Sequence, residues 1–270
     1  EKEGICLHSG NKSEVILLPS DEPGFYISLI DHFDVPIIIH GHVDAPLKVS
    51  FIRRFFDTVK RKGLLGFVRA VLFYFLYLLI KKLETRSLIK KHPDAFKKFK
   101  IDDIKEIREI KIDGIWSDSK LLLKFSKSDL QKIENEDLDL IIRCGGGILK
   151  GDVLKAPRLG VLSFHHGDNR TNRGGPAGFW EVINDESSSG FIIQKLSEEL
   201  DGGDILLRGN IMTSSTWHSN TAQLLAKSNF FLKKMLNEIA ESGQLPLAEG
   251  PFLHDKPLYK LNSSRFLAKY

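Results

Sequence analysis

The sequence predicts an α/β fold with a mostly parallel central sheet and helices on both faces. Short apolar runs alternate with stretches of helical spacing, as in chains where parallel strands are joined by crossover helices. One run, DLIIRC at 139–144, is followed by three glycines, which is typical of the end of a buried parallel strand. Ligands of such sheets bind beyond the carboxyl ends of the strands.

The individual elements follow from apolar spacing and turn residues. The first half predicts strands at 14–20 and 35–41 around a helix at 24–33, and later a helix at 126–136 that Ser126 or Ser128 caps. In the second half of the sequence, we predict strands at 138–146, 160–165 and 190–196. The helices predicted there are a short one at 151–156, one at 178–185 and one at 219–243 that ends at a glycine, and a polar loop follows the strand at 160–165.

The composition is that of a folded globular protein, since 42% of the 270 residues are hydrophobic and 27% are charged. Two cysteines, Cys6 and Cys144, are too few for a disulfide framework, which favours a reducing compartment and hence the cytoplasm. No signal-peptide pattern follows Glu1. No group of ligating residues has suitable spacing, so we expect no metal.

A basic segment with an apolar centre occupies residues 53–100. It holds fourteen basic and three acidic side chains, a net charge of +11 in a chain whose total is +4, and this asymmetry indicates a local partner. Its apolar stretch, Leu64–Ile80, is slightly shorter than the about 20 residues of a membrane-spanning helix.

The flanking basic residues favour a helix that lies on an anionic membrane surface, while a buried helix or a homodimer interface stays open. Nucleic acid is disfavoured, because the aromatic residues are embedded among leucine and valine rather than spaced among basic residues.

Two segments carry a more specific pattern, GVLSFHHGDNRTNRG at 160–174 and GFIIQKLSEELDGGDIL at 190–206. In order and spacing they resemble the catalytic core of the formyltransferases that use 10-formyltetrahydrofolate, a family that includes methionyl-tRNA, glycinamide-ribonucleotide and amino-sugar formyltransferases. The resemblance implies a Rossmann-like formyltransferase fold over residues 1–246, with a helical insertion at about 53–100. Residues 247–270 would be a tail or the start of a further segment.

The resemblance also implies site residues. His165 falls on the catalytic histidine, Asp201 on the catalytic aspartate that orients it, and Arg173–Gly174 on the pair that closes the loop. The strand and loop at 139–154 resemble those that hold the pterin of the folate through main-chain contacts. The cofactor-binding residues implied are Cys144, Gly145, Gly146, Gly147, Ile148 and Leu149.

Two departures from the family pattern bear on the chemistry. Ser163 stands where the family has an asparagine that stabilises the oxyanion of the tetrahedral intermediate; we expect Ser163 to assist there, with His166 or Asn169 as candidates to help. The loop after His165 is polar where the family is apolar, and its donors suit a phosphate or a sugar. The substrate-binding candidates are His166, Asp168, Asn169, Arg170, Arg173 and Gly174.

Together these features predict an N-formyltransferase-like enzyme that moves a formyl group from 10-formyltetrahydrofolate to the amine of a polar acceptor. The acceptor would be an amino sugar or sugar nucleotide, free or lipid-linked. One alternative is a non-catalytic module on the same fold that binds a glycan or a lipid headgroup, and another is a hydrolase that uses water as acceptor. His165 and Asp201 favour catalysis, whereas Ser163 and the altered loop favour divergence.

Overall fold

The computed structural model describes residues 15–18, 37–42, 51–91, 108–118, 122–143, 148–171, 173–199, 202–250 and 258–259. The strands are β1 Val15–Leu18, β2 Ile37–His42, β3 Arg108–Trp116, β4 Leu122–Phe125, β5 Leu140–Arg143, β6 Ile148–Leu149, β7 Val161–His165, β8 Arg173–Gly174, β9 Ser188–Lys195, β10 Asp204–Met212 and β11 Leu258–Tyr259. The helices are α1 Phe51–Lys91, α2 Lys127–Glu134, α3 Phe179–Ile183 and α4 Trp217–Ser242, with one 3₁₀ turn at Asp152–Leu154. The helix predicted at 24–33 lies outside the described residues.

Nine of these strands form one sheet in the order β10-β9-β7-β5-β1-β2-β3-β4-β6. The centre, from β7 to β3, is parallel, as the sequence predicts. Strand β9 is antiparallel to both β7 and β10. The connection from β9 to β10 is too short for a crossover, so these two strands form a hairpin. Strand β4 is antiparallel to β3. The α/β fold class is therefore confirmed, with antiparallel strands added to the parallel centre.

Helices cover both faces of the sheet. Alternate residues of β5 point to opposite faces, so Ile142 packs with α4 while Ile141 packs with α2. The cluster on the α4 face is Leu140, Ile142, Leu162, Ile193, Leu232, Met235, Leu236 and Ile239. The cluster on the α2 face includes Ile112, Ile133, Ile141, Leu149, Val153 and Val161. Burial on both faces explains why DLIIRC is apolar without alternation.

The helix ends are set by local signals in the sequence. Ser126 caps α2 by accepting a hydrogen bond from the main-chain N–H of Asp129 at 3.1 Å, which selects Ser126 over Ser128. Helix α4 ends at Gly243, whose φ of 68° lies in the left-handed region that glycine adopts without strain. Both ends were predicted from the sequence and are confirmed.

Helix α1 contains most of the basic segment and breaks once. The break is at Gly63, where φ is 69° and ψ is 176°. The part after Gly63 packs against α3 and α4 through a cluster of apolar side chains. Its members are Phe73, Tyr77, Ile80, Phe179, Trp180 and Trp217. Within the described part of the chain, no helix combines the length and hydropathy needed to cross a membrane.

Candidate active site

The two faces of β7 separate the residues of the predicted site. Phe164 packs towards α4, and the Nε2 atom of His166 lies 3.0 Å from the Oγ atom of Ser228 on α4. Val161 packs in the cluster on the α2 face. Because side chains alternate along a strand, Ser163 and His165 share the face of Val161, at the carboxyl end of β7. This is the edge of a parallel sheet where ligands bind.

Ser163 lies beside an arginine that the sequence analysis did not include. The register of β5 and β7 pairs Arg143 with Ser163, and the Arg143 Nη1 atom donates a hydrogen bond to the Ser163 Oγ atom at 3.2 Å. Ser163 is only 3% exposed, while Arg143 is partly buried at the end of its strand. A guanidinium is always charged and carries five N–H donors. A permanent positive charge therefore stands next to the position where the family has its asparagine.

His165 is partly buried and its ring lies over the turn that follows. A Cβ atom placed on Gly167 would be 3.1 Å from the His165 Nε2 atom, closer than most such contacts. Gly167 thus lets the imidazole sit against the chain. We expect a side chain at position 167 to push the ring out of its present position.

Strand β9 borders the site on the other side. Gln194 pairs with Ser163 and is buried, so its side chain lies on the same face. A Cβ atom on Gly203 would collide with the Lys195 carbonyl oxygen and would lie 3.5 Å from the Gln194 Oε1 atom. The second glycine of LDGGD therefore packs directly against β9 beside the site. Asp201 itself lies outside the described residues, as do Cys144, Gly145, Gly146 and Gly147.

His166 points away from His165, into the core. Its ring stacks on Phe164 with centroids 5.5 Å apart and reaches Ser228. Burial, followed by the nearby charge of His165, lowers the pKa of His166 to about 4, so the imidazole is neutral at physiological pH. A substrate-binding role for His166 stays a prediction, and this geometry favours a structural one.

The polar loop after His165 is tied to β10 by ion pairs. The Asp168 carboxylate accepts from Arg170 Nη2 at 2.6 Å and from Arg208 Nη1 at 2.7 Å. Arg208, whose side chain is 7% exposed, also donates to the Asn169 Oδ1 atom at 2.9 Å and to Glu249 at 2.7 Å. Two of the predicted substrate-binding residues, Asp168 and Asn169, thus turn inward to Arg208.

The electrostatics of this loop keep Asp168 ionised. Burial alone would raise its pKa, but the hydrogen bonds from Arg170 and the positive charges of Arg208 and Arg170 outweigh burial and hold the pKa below its ordinary value. The network contains two carboxylates and two guanidinium groups, so its negative and positive charges are equal in number. Arg170 is the predicted loop residue that remains half exposed, with 51% of its side chain accessible.

The predicted pterin site is described only at its end. Leu149 of β6 is buried in the core, so its side chain is not available to a ligand, whereas Ile148 is partly buried. Strand β6 pairs with β4 and is the last strand of the sheet among the described residues. The N–H and C=O groups on the other edge of β6 fit the recognition of a pterin through main-chain contacts, which the resemblance implies.

The C-terminal stretch also reaches the loop. Arg173 and Gly174 form β8, which pairs in parallel with Leu258 and Tyr259 of β11. The Glu249 main-chain N–H donates to the Ile205 carbonyl oxygen at 2.8 Å. Parts of the predicted tail thus dock on β8 and β10. Among the described residues, no group of three or more His, Cys, Asp or Glu side chains is placed to hold a metal ion.

Comparisons with known proteins agree with this architecture. No family model matches the chain. In sequence it is similar to methionyl-tRNA formyltransferase of Prochlorococcus marinus, 30% identical over 119 residues that span 40% of this chain and 36% of that protein. The same enzyme of Fusobacterium nucleatum is 34% identical over 80 residues, 29% of this chain and 26% of that protein. The matches thus span well under half of these relatives.

In structure the chain is similar to glycinamide ribonucleotide transformylase 1 of Symbiobacterium toebii, with a TM-score of 0.54 over 90% of this chain and 93% of that chain at 14% identity. It is also similar to phosphoribosylglycinamide formyltransferase of Anaplasma phagocytophilum, with a TM-score of 0.52 over 85% and 87% of the chains at 15% identity. These likenesses concern the fold. With the sequence matches, they show that the chain is similar to formyltransferases in its α/β fold and, over part of its length, in its sequence.

Proposed function

We propose that the protein is an N-formyltransferase that moves a formyl group from 10-formyltetrahydrofolate to the amine of a polar acceptor. The observation that carries the proposal is the cluster of His165, Ser163 and Arg143 on one face of two adjacent parallel strands, at their carboxyl ends. A proton acceptor, a hydroxyl and a fixed positive charge at this edge are the groups that acyl transfer to an amine requires.

Each residue would have a defined part. Bound 10-formyltetrahydrofolate supplies the formyl carbon that the acceptor amine attacks. His165 accepts the proton that the amine loses as its new N–C bond forms, and returns a proton to the folate nitrogen as the old N–C bond breaks. The carbonyl oxygen gains negative charge between these steps and needs preset donors.

Arg143 would replace the missing asparagine at that oxygen. Loss of one oxyanion donor typically costs about 10²–10³ in rate, and a serine hydroxyl alone has a shorter reach. Ser163 leaves room for the guanidinium and accepts one of its N–H groups, which fixes the positive charge of Arg143 at the end of β7. A charged donor in a partly buried position stabilises an anion more strongly than a neutral amide does.

The folate would be held mainly through the main chain. Leu149 packs in the core and Ile148 is partly buried, so the edge of β6 offers N–H and C=O groups rather than side chains. This agrees with the type of pterin contact that the resemblance implies.

The acceptor would be an amino sugar, free, nucleotide-linked or lipid-linked. The loop network of Asp168, Arg170, Arg208 and Glu249 contains as many carboxylates as guanidinium groups. It therefore attracts sugar hydroxyls through single donors, such as the half-exposed Arg170, rather than a phosphate through unbalanced positive charge.

Calorimetric titration with 5-formyltetrahydrofolate, a stable analogue of the donor, tests the proposal. We expect micromolar binding that survives in Arg143→Met and His165→Ala variants, because neither residue is assigned to the pterin. Formyl transfer to amino-sugar nucleotides should fall in both variants. Folate binding with release of formate in the absence of any amine would instead identify a hydrolase.

A non-catalytic binding module is the second candidate. The serine at position 163 favours it, because the resemblance assigns stabilisation of the oxyanion to an asparagine at that position. This candidate predicts no folate binding at millimolar concentration, together with binding of a glycan or a lipid headgroup in the same calorimeter.

A further inference from the structure

Helix α1 has two apolar faces, and among the described residues only one of them is packed against other elements. Phe73, Tyr77, Ile80 and Glu84 follow one another at spacings of four, three and four residues, and all four turn towards the body of the protein. Glu84 is fixed there, since its Oε2 atom lies 2.7 Å from the His218 Nδ1 atom and accepts the His218 main-chain N–H at 2.8 Å. The orientation of α1 about its own axis is therefore determined.

The opposite face of α1 presents a row of large apolar side chains to solvent. Leu65 is 85% exposed and Phe75 is 63% exposed. The row follows spacings of three and four residues, and its members are Leu65, Val68, Leu72, Phe75, Leu79 and Leu83. Val71, Tyr74 and Leu78 widen it. At 1.5 Å per residue it is about 27 Å long. Soluble monomers rarely expose a continuous apolar surface of this kind.

Basic side chains continue the same face towards the end of α1. Lys82, Arg86 and Lys90 are exposed and lie one helical turn apart, in line with the apolar row. Between residues 60 and 91 the sequence holds nine basic residues and one acid, and that acid is Glu84, which faces inward. The exposed face is thus apolar along most of its length and positively charged at one end, and between residues 60 and 91 no carboxylate lies on that face to compensate the charge.

We propose that this face of α1 docks the protein onto an anionic lipid surface. The helix lies in the plane of the membrane, with the apolar row among the acyl chains and Lys82, Arg86 and Lys90 at the headgroups. Charge complementarity selects this partner, because basic residues beside an apolar face are the pattern that anionic leaflets attract. A second copy of the chain would instead present the same excess of positive charge, since the one acid between residues 60 and 91, Glu84, faces inward. The inference is independent of the proposed formyl transfer.

Flotation with liposomes tests the surface. The full chain is mixed with vesicles of phosphatidylcholine alone or with phosphatidylglycerol added, and we expect binding that depends on the anionic lipid. Each basic residue changed to glutamine among Lys82, Arg86 and Lys90 should lower the partition coefficient about fivefold. Phe75→Glu should lower it about tenfold or more, since a buried aromatic side chain is replaced by a charge.

Phe230→Glu is the matched control, because Phe230 is also a helical phenylalanine and is 61% exposed. It should bind vesicles like the unchanged protein. Leu72→Glu serves as a second variant in case Phe75→Glu does not fold, and circular dichroism checks both. The proposal is overturned if the protein does not float with anionic vesicles, or if both phenylalanine variants lose binding equally. A dimer that Phe75→Glu converts to a monomer, without vesicle binding, would assign the face to a second copy.

Discussion

Because His166 is buried, the free energy of unfolding should fall measurably at acidic pH. The unfolded chain should titrate this imidazole near 6.5, whereas the folded protein lowers its pKa to about 4. Between these values the unfolded state binds more protons than the folded state, so stability falls as the pH falls. The loss begins near pH 6.5 and is complete near pH 4.

The magnitude follows from the two pKa values. A full difference of this size corresponds to about 3.5 kcal/mol, since each pKa unit is worth about 1.4 kcal/mol. At pH 5.5 the linkage relation gives about 1.4 kcal/mol of that loss. A change of this size in the free energy of unfolding can be measured by urea unfolding, followed by tryptophan fluorescence at pH 7.5 and at pH 5.5.

A His166→Asn variant separates this contribution from other titrating groups. It loses some stability at every pH, but its additional loss between pH 7.5 and 5.5 should be smaller by about 1.4 kcal/mol. His165→Asn is the matched control and should keep the pH dependence, because it removes only the smaller of the two causes of the shift. An unchanged slope in His166→Asn would refute the buried, neutral assignment and return His166 to the substrate side of the sheet.

Further predictions concern the site and its loop. Arg143→Lys should reduce formyl transfer by about tenfold or more while folate binding persists, because the compact ammonium lacks the planar fork with which a guanidinium donates in two directions at once; an unchanged kcat would remove Arg143 from the chemistry. Arg208→Met should destabilise the fold by about 3–5 kcal/mol, since it leaves Asp168 buried with one partner fewer. Arg170→Met should cost less than about 1 kcal/mol, because that arginine is half exposed. If thermal unfolding shows that the two variants lose the same amount of stability, the difference expected between Arg208 and Arg170 is contradicted.

The sequence predicts those parts of the fold that local signals determine. The apolar run that contains Leu140–Arg143, the cap Ser126 and the glycine after α4 each act within a few residues, and each lies where predicted. The direction of His166 was also available from local information. Counting by twos from Phe164, whose side chain is apolar, places His166 on the packed face of β7.

Long-range pairing was not predictable from one sequence. Arg143 and Ser163 are twenty residues apart and meet only because β5 and β7 are neighbours in a particular register. Arg208 joins Asp168 across forty residues, and Glu249 joins the same network from the stretch predicted to be a tail. No spacing rule links such residues. His165 is the last residue of β7, within the strand that the sequence predicts, but the resemblance carried no information about the arginine beside Ser163.

If Arg143 and His165 form a working site for formyl transfer, the protein should formylate an amine. Mass spectrometry of amino-sugar nucleotides incubated with 10-formyltetrahydrofolate and the protein measures this. We expect the acceptor to gain one formyl group with the unchanged protein, and to do so at a rate about 10²-fold lower with Arg143→Met. Formylation that persists in Arg143→Met and in His165→Ala, or a folate-bound protein that formylates no amine, would contradict it.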